Sequence, residues 1–313
     1  MNSISLADRI RGCLLGVAIG DALGAPFEHV APGQNNQLLE RIGGYIDDFY
    51  PHWTWPAGTW TDDTGMTLAS CRAIIESART RRPLEECFRR AFKRWANSAE
   101  CRNAGQTVKY SANYAVPIAN SWGSGALMRM APVAIYAVVG RLPIEESALL
   151  AFEVANLTHG HPLAVFPAVE FVLAIMSILK GESFVPAGLA DPGSLLPHID
   201  LKDIGYEEYL EMRHKPLFQV PPSTGLWIWR QVMENCLCLS GGVPWTKVPG
   251  FQDGILKTVN ESFDRDTAGA VSGAVLGAYW GESGIPERRR SKVRKSEEII
   301  RLADEMLEVA ESG

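Results

Sequence analysis

The spacing of apolar residues constrains the fold more than any other feature, because they recur every three or four positions along most of the chain. Ile10, Cys13, Leu14 and Val17 share one helical face in this way, and residues 296–310 carry another. No run of convincing length alternates apolar and polar residues, as a half-buried strand would. The 313 residues, 46% of them hydrophobic, suffice for one large or two ordinary domains, and the helical pattern predicts a single all-α domain.

Four glycines repeat every four residues from Gly269 to Gly281 within an apolar run. Such a stripe lets another helix approach closely, as in membrane helix pairs, but Asp266 and the short length favour a central helix of a soluble bundle. The longest apolar run, 165–179, contains Pro167 and Glu170 and is shorter than the roughly 20 residues of a membrane span. The sequence therefore predicts a core helix there and no membrane association.

Two segments about two hundred residues apart each place two aspartates and threonine hydroxyls at the start of a predicted helix: Thr61-Asp62-Asp63-Thr64 and Asp264-Arg265-Asp266-Thr267. The first segment alone is explained by a well-capped helix, with Thr61 as N-cap and acidic residues favoured by the helix dipole. If the two segments converge, they could hold two divalent cations. Oxygen-only ligands suit magnesium, manganese or calcium and argue against zinc.

Three further motifs leave alternatives open. Asp21 falls on the apolar face of the first helix, so it is either paired in the core or aimed at a cavity. The turn Gly123-Ser124-Gly125, ahead of a predicted helix over 126–139, could present backbone amides to a phosphate, and Arg129 could assist it or hold a core carboxylate. His159 and His161 lack a nearby Cys or third His, so hydrogen bonding near a substrate is a better interpretation than a zinc site.

Composition narrows the class of protein. A formal net charge of −6 and a pI near 5.6 give no general attraction to nucleic acid or anionic membranes. The six basic residues within 286–295 lack interleaved aromatics, which indicates a solvated connection. The Pro-, Gly- and charge-rich stretch 181–222 indicates an insertion or lid. No secretion signal is visible, and the six cysteines form no paired framework, so we expect reduced thiols and a cytoplasmic protein.

The two acidic motifs, together with three others, resemble the ADP-ribosylglycohydrolase family, typified by the dinitrogenase reductase-activating glycohydrolase. The other three motifs are Gly16-Val17-Ala18-Ile19-Gly20-Asp21-Ala22-Leu23-Gly24, Gly123-Ser124-Gly125-Ala126-Leu127-Met128-Arg129-Met130-Ala131-Pro132 and Leu157-Thr158-His159. Each is weak alone, but the five occur in family order from about Gly12 to Gly281. The resemblance therefore covers most of the chain and is specific.

The resemblance implies one domain over residues 1–313, an orthogonal helical bundle with two Mg²⁺ or Mn²⁺ ions. It implies these metal ligands: Thr61, Asp62, Asp63, Asp264, Asp266 and Thr267. It implies catalytic roles for Glu28, Asp62 and Asp63, although the sequence alone would place Glu28 on the surface. It implies contacts with the substrate for Gly123, Ser124, Gly125, Met128 and His159.

The activity implied by the resemblance is removal of ADP-ribose from a mono-ADP-ribosylated protein side chain, arginine in the first place. Many family members carry Gly-Gly-Asp-Thr-Asp-Thr before the last motif helix, whereas Phe263 and Arg265 interrupt that pattern here, which leaves loop shape and specificity open. Serine and O-acetyl linkages remain alternatives. A second hypothesis is that the protein is a binding module that occludes an ADP-ribosylating toxin. Under either hypothesis, a cognate ADP-ribosyltransferase is a candidate partner.

Overall fold

The computed structural model describes residues 4–28, 30, 33–34, 36–52, 54–182, 191–237 and 250–311. These residues form fourteen α-helices and no strand, which confirms the all-α prediction. The helices are α1 Leu6–Gly24, α2 Gln37–Arg41, α3 Asp62–Thr80, α4 Leu84–Ala96, α5 Gln106–Tyr114, α6 Ala131–Val139, α7 Ile144–Asn156, α8 Pro162–Leu179, α9 Tyr206–His214, α10 Gly225–Leu237, α11 Phe251–Glu261, α12 Arg265–Trp280, α13 Glu287–Arg290 and α14 Ser296–Glu311.

One predicted helix begins later than expected. We expected a helix from residue 126, but Ser124–Ala126 forms a 3₁₀ turn and α6 begins only at Ala131. Pro132 explains the difference, because a proline lacks the N–H that a helix interior requires and is tolerated only in a first turn. The late start leaves residues 127–130 as a separate connection between the turn and the helix.

Helices α1 and α12 run antiparallel with their backbones in direct contact. A Cβ atom built on Gly16 would lie 1.9 Å from the carbonyl oxygen of Gly273, and one built on Gly20 would lie 1.9 Å from that of Gly269. The same close approach continues at Gly12, opposite Gly277. Only glycine fits at these positions, so the predicted close-packed central helix is confirmed and its partner is the N-terminal helix.

Two described helical segments, Leu6–Phe27 and Pro162–Leu179, are long and apolar enough to cross a bilayer, yet 89% and 94% of their apolar windows are buried inside the fold. Within α8, Glu170 is buried and pairs with Arg213 of α9 at 2.7 Å. Trp229 of α10 donates its indole N–H to the same carboxylate at 2.9 Å. The described part of the predicted insertion is thus anchored on α8, while residues 183–190 lie outside the described chain.

The basic segment 286–295 is largely solvated, as its composition suggested, but one of its arginines is not. Arg289 is fully buried and contacts Asp48 at 2.8 Å and Gln252 at 3.0 Å. Lys292 also pairs with Asp48, at 2.7 Å, and Lys295 pairs with Glu298 at 3.2 Å. The segment therefore fastens α13 to the loop that precedes α3, and its charge is partly neutralised by internal carboxylates.

Candidate metal centre and substrate turn

The start of α3 is held by a carboxylate from another helix. Thr61 occupies the N-cap position as predicted, but its side chain makes no capping hydrogen bond. Asp21 of α1 accepts from the backbone N–H groups of Thr61 and Thr64, each at 2.9 Å, and from their hydroxyls at 2.9 and 2.6 Å. The buried carboxylate thus satisfies donors that the helix start would otherwise leave unpaired.

The two acidic segments, whose convergence a metal site would require, lie close together in the fold. Oxygen atoms of Asp21, Asp63 and Asp266 all lie within 4.8 Å of one another, and all three residues are buried. Asp62 and Asp264 are 8% and 6% exposed, and the charge of Asp264 acts on Asp63. We call Asp21, Asp62, Asp63, Asp264 and Asp266 the carboxylate cluster.

The electrostatics of the carboxylate cluster fit a bound cation. Burial, reinforced by neighbouring carboxylates, raises the pKa of Asp62, Asp63 and Asp266 well above the usual range. Asp63 Oδ1 is buried without a hydrogen-bond partner in the described structure. A buried, unpaired carboxylate oxygen among like charges is costly, and a hard divalent cation with oxygen ligands relieves both problems.

The remaining predicted ligands, Thr61 and Thr267, each contact a carboxylate of this cluster. Thr267 is 5% exposed in the first turn of α12, and its backbone N–H contacts Asp266 at 3.0 Å. Arg265, which interrupts the family pattern, donates to the carbonyls of Val30 and Val259 at 2.9 and 2.8 Å. Its guanidinium is thereby engaged with backbone carbonyls, two of them in the last turn of α11, and the loop accommodates the arginine.

Glu28 lies just past the 3₁₀ turn that follows α1 and is half-buried. The side-chain amide of Asn103 donates to its carboxylate. Asn103 adopts a left-handed backbone, with φ of 55°, a conformation that asparagine tolerates better than most residues. Two residues on, the backbone amide of Gly105 faces the carboxylate of Asp62. The loop 103–105 thus connects Glu28 with the carboxylate cluster.

The predicted substrate turn, Gly123-Ser124-Gly125, lies beside the carboxylate cluster. The Ser124 hydroxyl is 3.4 Å from a carboxylate oxygen of Asp264. A Cβ atom built on Gly125 would lie 2.8 Å from Val108 Cγ2 and 2.9 Å from His159 Cε1, so only glycine fits there. The structure therefore brings this glycine turn and His159 together, as the sequence predicted.

His159 is buried, and its Nδ1 is 2.7 Å from the hydroxyl of Thr158. Burial, with the nearby charge of Arg129 as a second cause, lowers the pKa of His159 to about 3. The ring is therefore neutral near pH 7, which suits the hydrogen-bonding role. Met128 is 4% exposed, and its carbonyl accepts from Thr67 of α3 at 3.2 Å, so it links the turn to the metal-centre helix.

Two residues of this region were absent from the predicted site. The sequence leaves open whether Asp21 is paired in the core or aimed at a cavity, and it gives Asn103 no role. The signal for Asp21 was present, because an aspartate between glycines on a buried face needs donors from elsewhere in the chain. Asn103 carries no comparable signal, since its contact with Glu28 joins two irregular segments.

Comparison with known proteins agrees with the fold and the site. The sequence profile of the ADP-ribosylglycohydrolase family matches residues 2–313. A solved structure described as an ADP-ribosylglycohydrolase-related protein complex superimposes with a TM-score of 0.73 at 21% identity, covering 98% of this chain and 99% of that one. The family profile over nearly the whole chain, together with the hydrolase names of its relatives, identifies an ADP-ribosyl hydrolase. The chain belongs to the ADP-ribosylglycohydrolase family.

Two curated relatives have more specific names. An ADP-ribosylarginine hydrolase of Pseudomonas putida is 27% identical over 97% of this chain and 79% of its own length. The ADP-ribosyl-[dinitrogen reductase] glycohydrolase of Rhodospirillum rubrum is 27% identical over 99% of both chains. Both names describe hydrolases that act on ADP-ribosyl groups, which agrees with the family assignment.

Proposed function

We propose that this enzyme removes ADP-ribose from arginine side chains of mono-ADP-ribosylated proteins and that it requires two divalent metal ions, Mg²⁺ or Mn²⁺. The observation that supports the metal requirement is the unpaired, buried Asp63 Oδ1 within the carboxylate cluster. The arginine linkage is supported by the name of the Pseudomonas putida relative. The glycine turn beside the cluster supports an ADP-ribose ligand.

The residues that would hold the ions are Thr61, Asp62, Asp63, Asp264, Asp266 and Thr267. Asp21 lies within reach of the same position, but its oxygens already accept hydrogen bonds from Thr61 and Thr64, so we assign it to positioning. The chemistry supplied by such ions is Lewis acidity, which makes a water more acidic and orients substrate hydroxyls.

The other side chains have separate tasks. Glu28 is the acid/base candidate, and the amide of Asn103 orients it. The surrounding carboxylates favour the positive charge that develops on a ribose ring when its glycosidic bond breaks. The glycine turn and neutral His159 bind the rest of the ADP-ribose, so the bond at the anomeric carbon lies over the carboxylate cluster.

The proposal is tested with a protein ADP-ribosylated on arginine and a matched protein modified on serine. With Mg²⁺ or Mn²⁺, the arginine-linked label should be released as free ADP-ribose, and EDTA should abolish release reversibly. AMP as the main product would indicate pyrophosphate cleavage instead. An unchanged substrate, combined with tight binding to the transferase that made it, would favour the occluding-module hypothesis.

A cytoplasmic location is also proposed. Its support is the set of four described cysteines that are free thiols, Cys13, Cys71, Cys87 and Cys101, since free thiols are typical of reducing compartments. Fractionation of cells that express the chain from its own gene tests it, and recovery outside the cytoplasmic fraction would contradict it.

A further inference from the structure

Arg129 is a fully buried arginine directly behind the substrate turn. Its Nη1 donates to the carbonyl of Gly125 at 2.5 Å, and its Nη2 donates to the carbonyl of Val154 at 3.0 Å. Val154 belongs to the last turn of α7, which leads into residues 158–159. One guanidinium therefore joins the glycine turn of the predicted ADP-ribose site to the end of α7, which leads into the other part of that site at His159.

The positive charge of Arg129 is not neutralised by a carboxylate partner in the described structure. Within the described parts of the chain, no carboxylate lies within 4.0 Å of its guanidinium, and Nε has no hydrogen-bond partner. The ring face of Phe92, 4.8 Å away, and the C-terminal end of α7 compensate part of the charge. A buried cation without a counter-ion is costly, so the site retains a positive potential.

We propose that Arg129 is a positioning residue for an anionic ligand: it fixes the glycine turn to the end of α7, just before residues 158–159, and provides positive potential beneath the turn for the pyrophosphate of ADP-ribose. The inference rests on the proposed function, because it takes ADP-ribose as the ligand. Of the two alternatives left open for this residue, pairing with a core carboxylate is wrong among the described residues, and the inference develops the other, in which Arg129 assists the turn.

The test compares two replacements in the full-length protein. Arg129→Met keeps most of the volume and removes the charge and both donors, whereas Arg129→Lys keeps the charge and loses the two-pronged geometry. Binding of ADP-ribose and of uncharged adenosine is measured by calorimetry. We expect Arg129→Met to weaken the binding of ADP-ribose at least about tenfold and to leave the affinity for adenosine nearly unchanged. It should also raise KM more than it lowers kcat. Arg129→Lys should recover part of the loss.

Arg141→Met is the matched control, because Arg141 is exposed beyond the far end of α6 and its loss changes the net charge equally. Equal ADP-ribose affinity in Arg129→Met and the unchanged protein would overturn the inference, and so would equal losses for ADP-ribose and adenosine. Failure of the unchanged protein to bind ADP-ribose would contradict the proposed function itself, and the inference with it.

A second measurement needs no substitution and covers the case in which Arg129→Met does not fold. In the unchanged protein, ADP-ribose should slow amide hydrogen exchange in residues 123–126 and 157–160 together, because Arg129 couples the two segments. Protection of only one segment would contradict the coupling.

Discussion

At the scale of single residues, Asp21 shows how a carboxylate can lie beside a metal centre without being free to bind an ion. Its two oxygens accept hydrogen bonds from both the backbone and the hydroxyl groups of Thr61 and Thr64. A carboxylate offers about four lone-pair sites, so these contacts occupy it. Asp21 therefore orients α3, and through α3 it orients Asp62 and Asp63.

Asp21→Asn separates this role from that of a ligand. An amide accepts at only one oxygen, so donors of Thr61 or Thr64 lose their partner, and the free energy of unfolding should fall by about 1–3 kcal/mol. The number of bound Mn²⁺ ions should stay the same, with affinity reduced about 10–100-fold. Asp266→Asn should instead lose an ion with little loss of stability. If Asp21→Asn also loses an ion in a calorimetric titration, Asp21 is a ligand.

Asn103→Gly tests the contact with Glu28 without disturbing the backbone, because glycine accepts the positive φ of residue 103 freely. Loss of the amide donor should lower kcat for ADP-ribose release about tenfold, the worth of one hydrogen bond to a charged group, and should leave the melting temperature unchanged or higher. Ala115→Gly relieves a similar φ of 58° away from Glu28 and should keep full activity. Equal kcat in both variants would mean that Asn103 has no role in the reaction.

The sequence predicts the residues of this centre unevenly. Thr61, Asp62, Asp63, Asp264, Asp266 and Thr267 are visible because each group is contiguous and opens a helix. The hydrogen bond from Asn103 to Glu28 spans 75 positions, and that from Thr61 to Asp21 spans 40. Neither shows in local periodicity, because only the folded chain brings the partners together.

At the scale of elements, the contact between α1 and α12 is the least tolerant of change. In Gly273→Ala the new Cβ would lie 2.0 Å from the carbonyl oxygen of Gly16, a backbone atom that cannot rotate away. Overpacking of a rigid contact should cost about 3 kcal/mol or more, measured by chemical denaturation. Gly105→Ala is the control, because φ is −60° and nothing lies within 4 Å of the added atom. A similar stability for both variants would mean that the helices separate readily.

Helix positions were predicted more accurately than helix partners. The helix predicted over 296–310 is observed as Ser296–Glu311, and the one predicted over 126–139 ends at Val139 as expected, because capping residues, prolines and glycines mark helix ends locally. The four-residue glycine repeat of α12 predicted a close neighbour. The matching repeat Gly12, Gly16, Gly20 and Gly24 was equally visible in the sequence. The periodicity of a single helix does not say which other helix packs against it, so the two repeats could not be assigned to each other.

At the scale of the whole molecule, the carboxylate cluster makes stability depend on pH and metal together. Burial raises the pKa of Asp21 to about 6, and burial with neighbouring charges raises those of Asp62, Asp63 and Asp266. A carboxyl with a raised folded-state pKa binds its proton more tightly when folded, so metal-free protein loses stability as pH rises from about 4 through the raised values.

The metal-free protein should therefore melt at a higher temperature at about pH 5 than at about pH 7.5. At the higher pH, Mn²⁺ at about 100 times its dissociation constant should restore about 2.7 kcal/mol. Differential scanning calorimetry measures both effects. Asp63→Asn removes one of the repelling charges and should show a flatter pH dependence. A metal-free protein that is more stable at the higher pH would contradict the electrostatic account.

The close pairing of α1 with α12 also has a consequence for biosynthesis. The glycines of α1 pack backbone to backbone against residues 265–282, so the centre cannot assemble until most of the polypeptide has left the ribosome. Until then the apolar surface of the N-terminal helix is exposed, and chains with exposed apolar surface are prone to aggregate. We therefore expect nascent chains stalled before residue 265 to bind chaperones and not to fold when Mn²⁺ is added. Chains released after residue 281 should become protease-resistant when the ion is supplied.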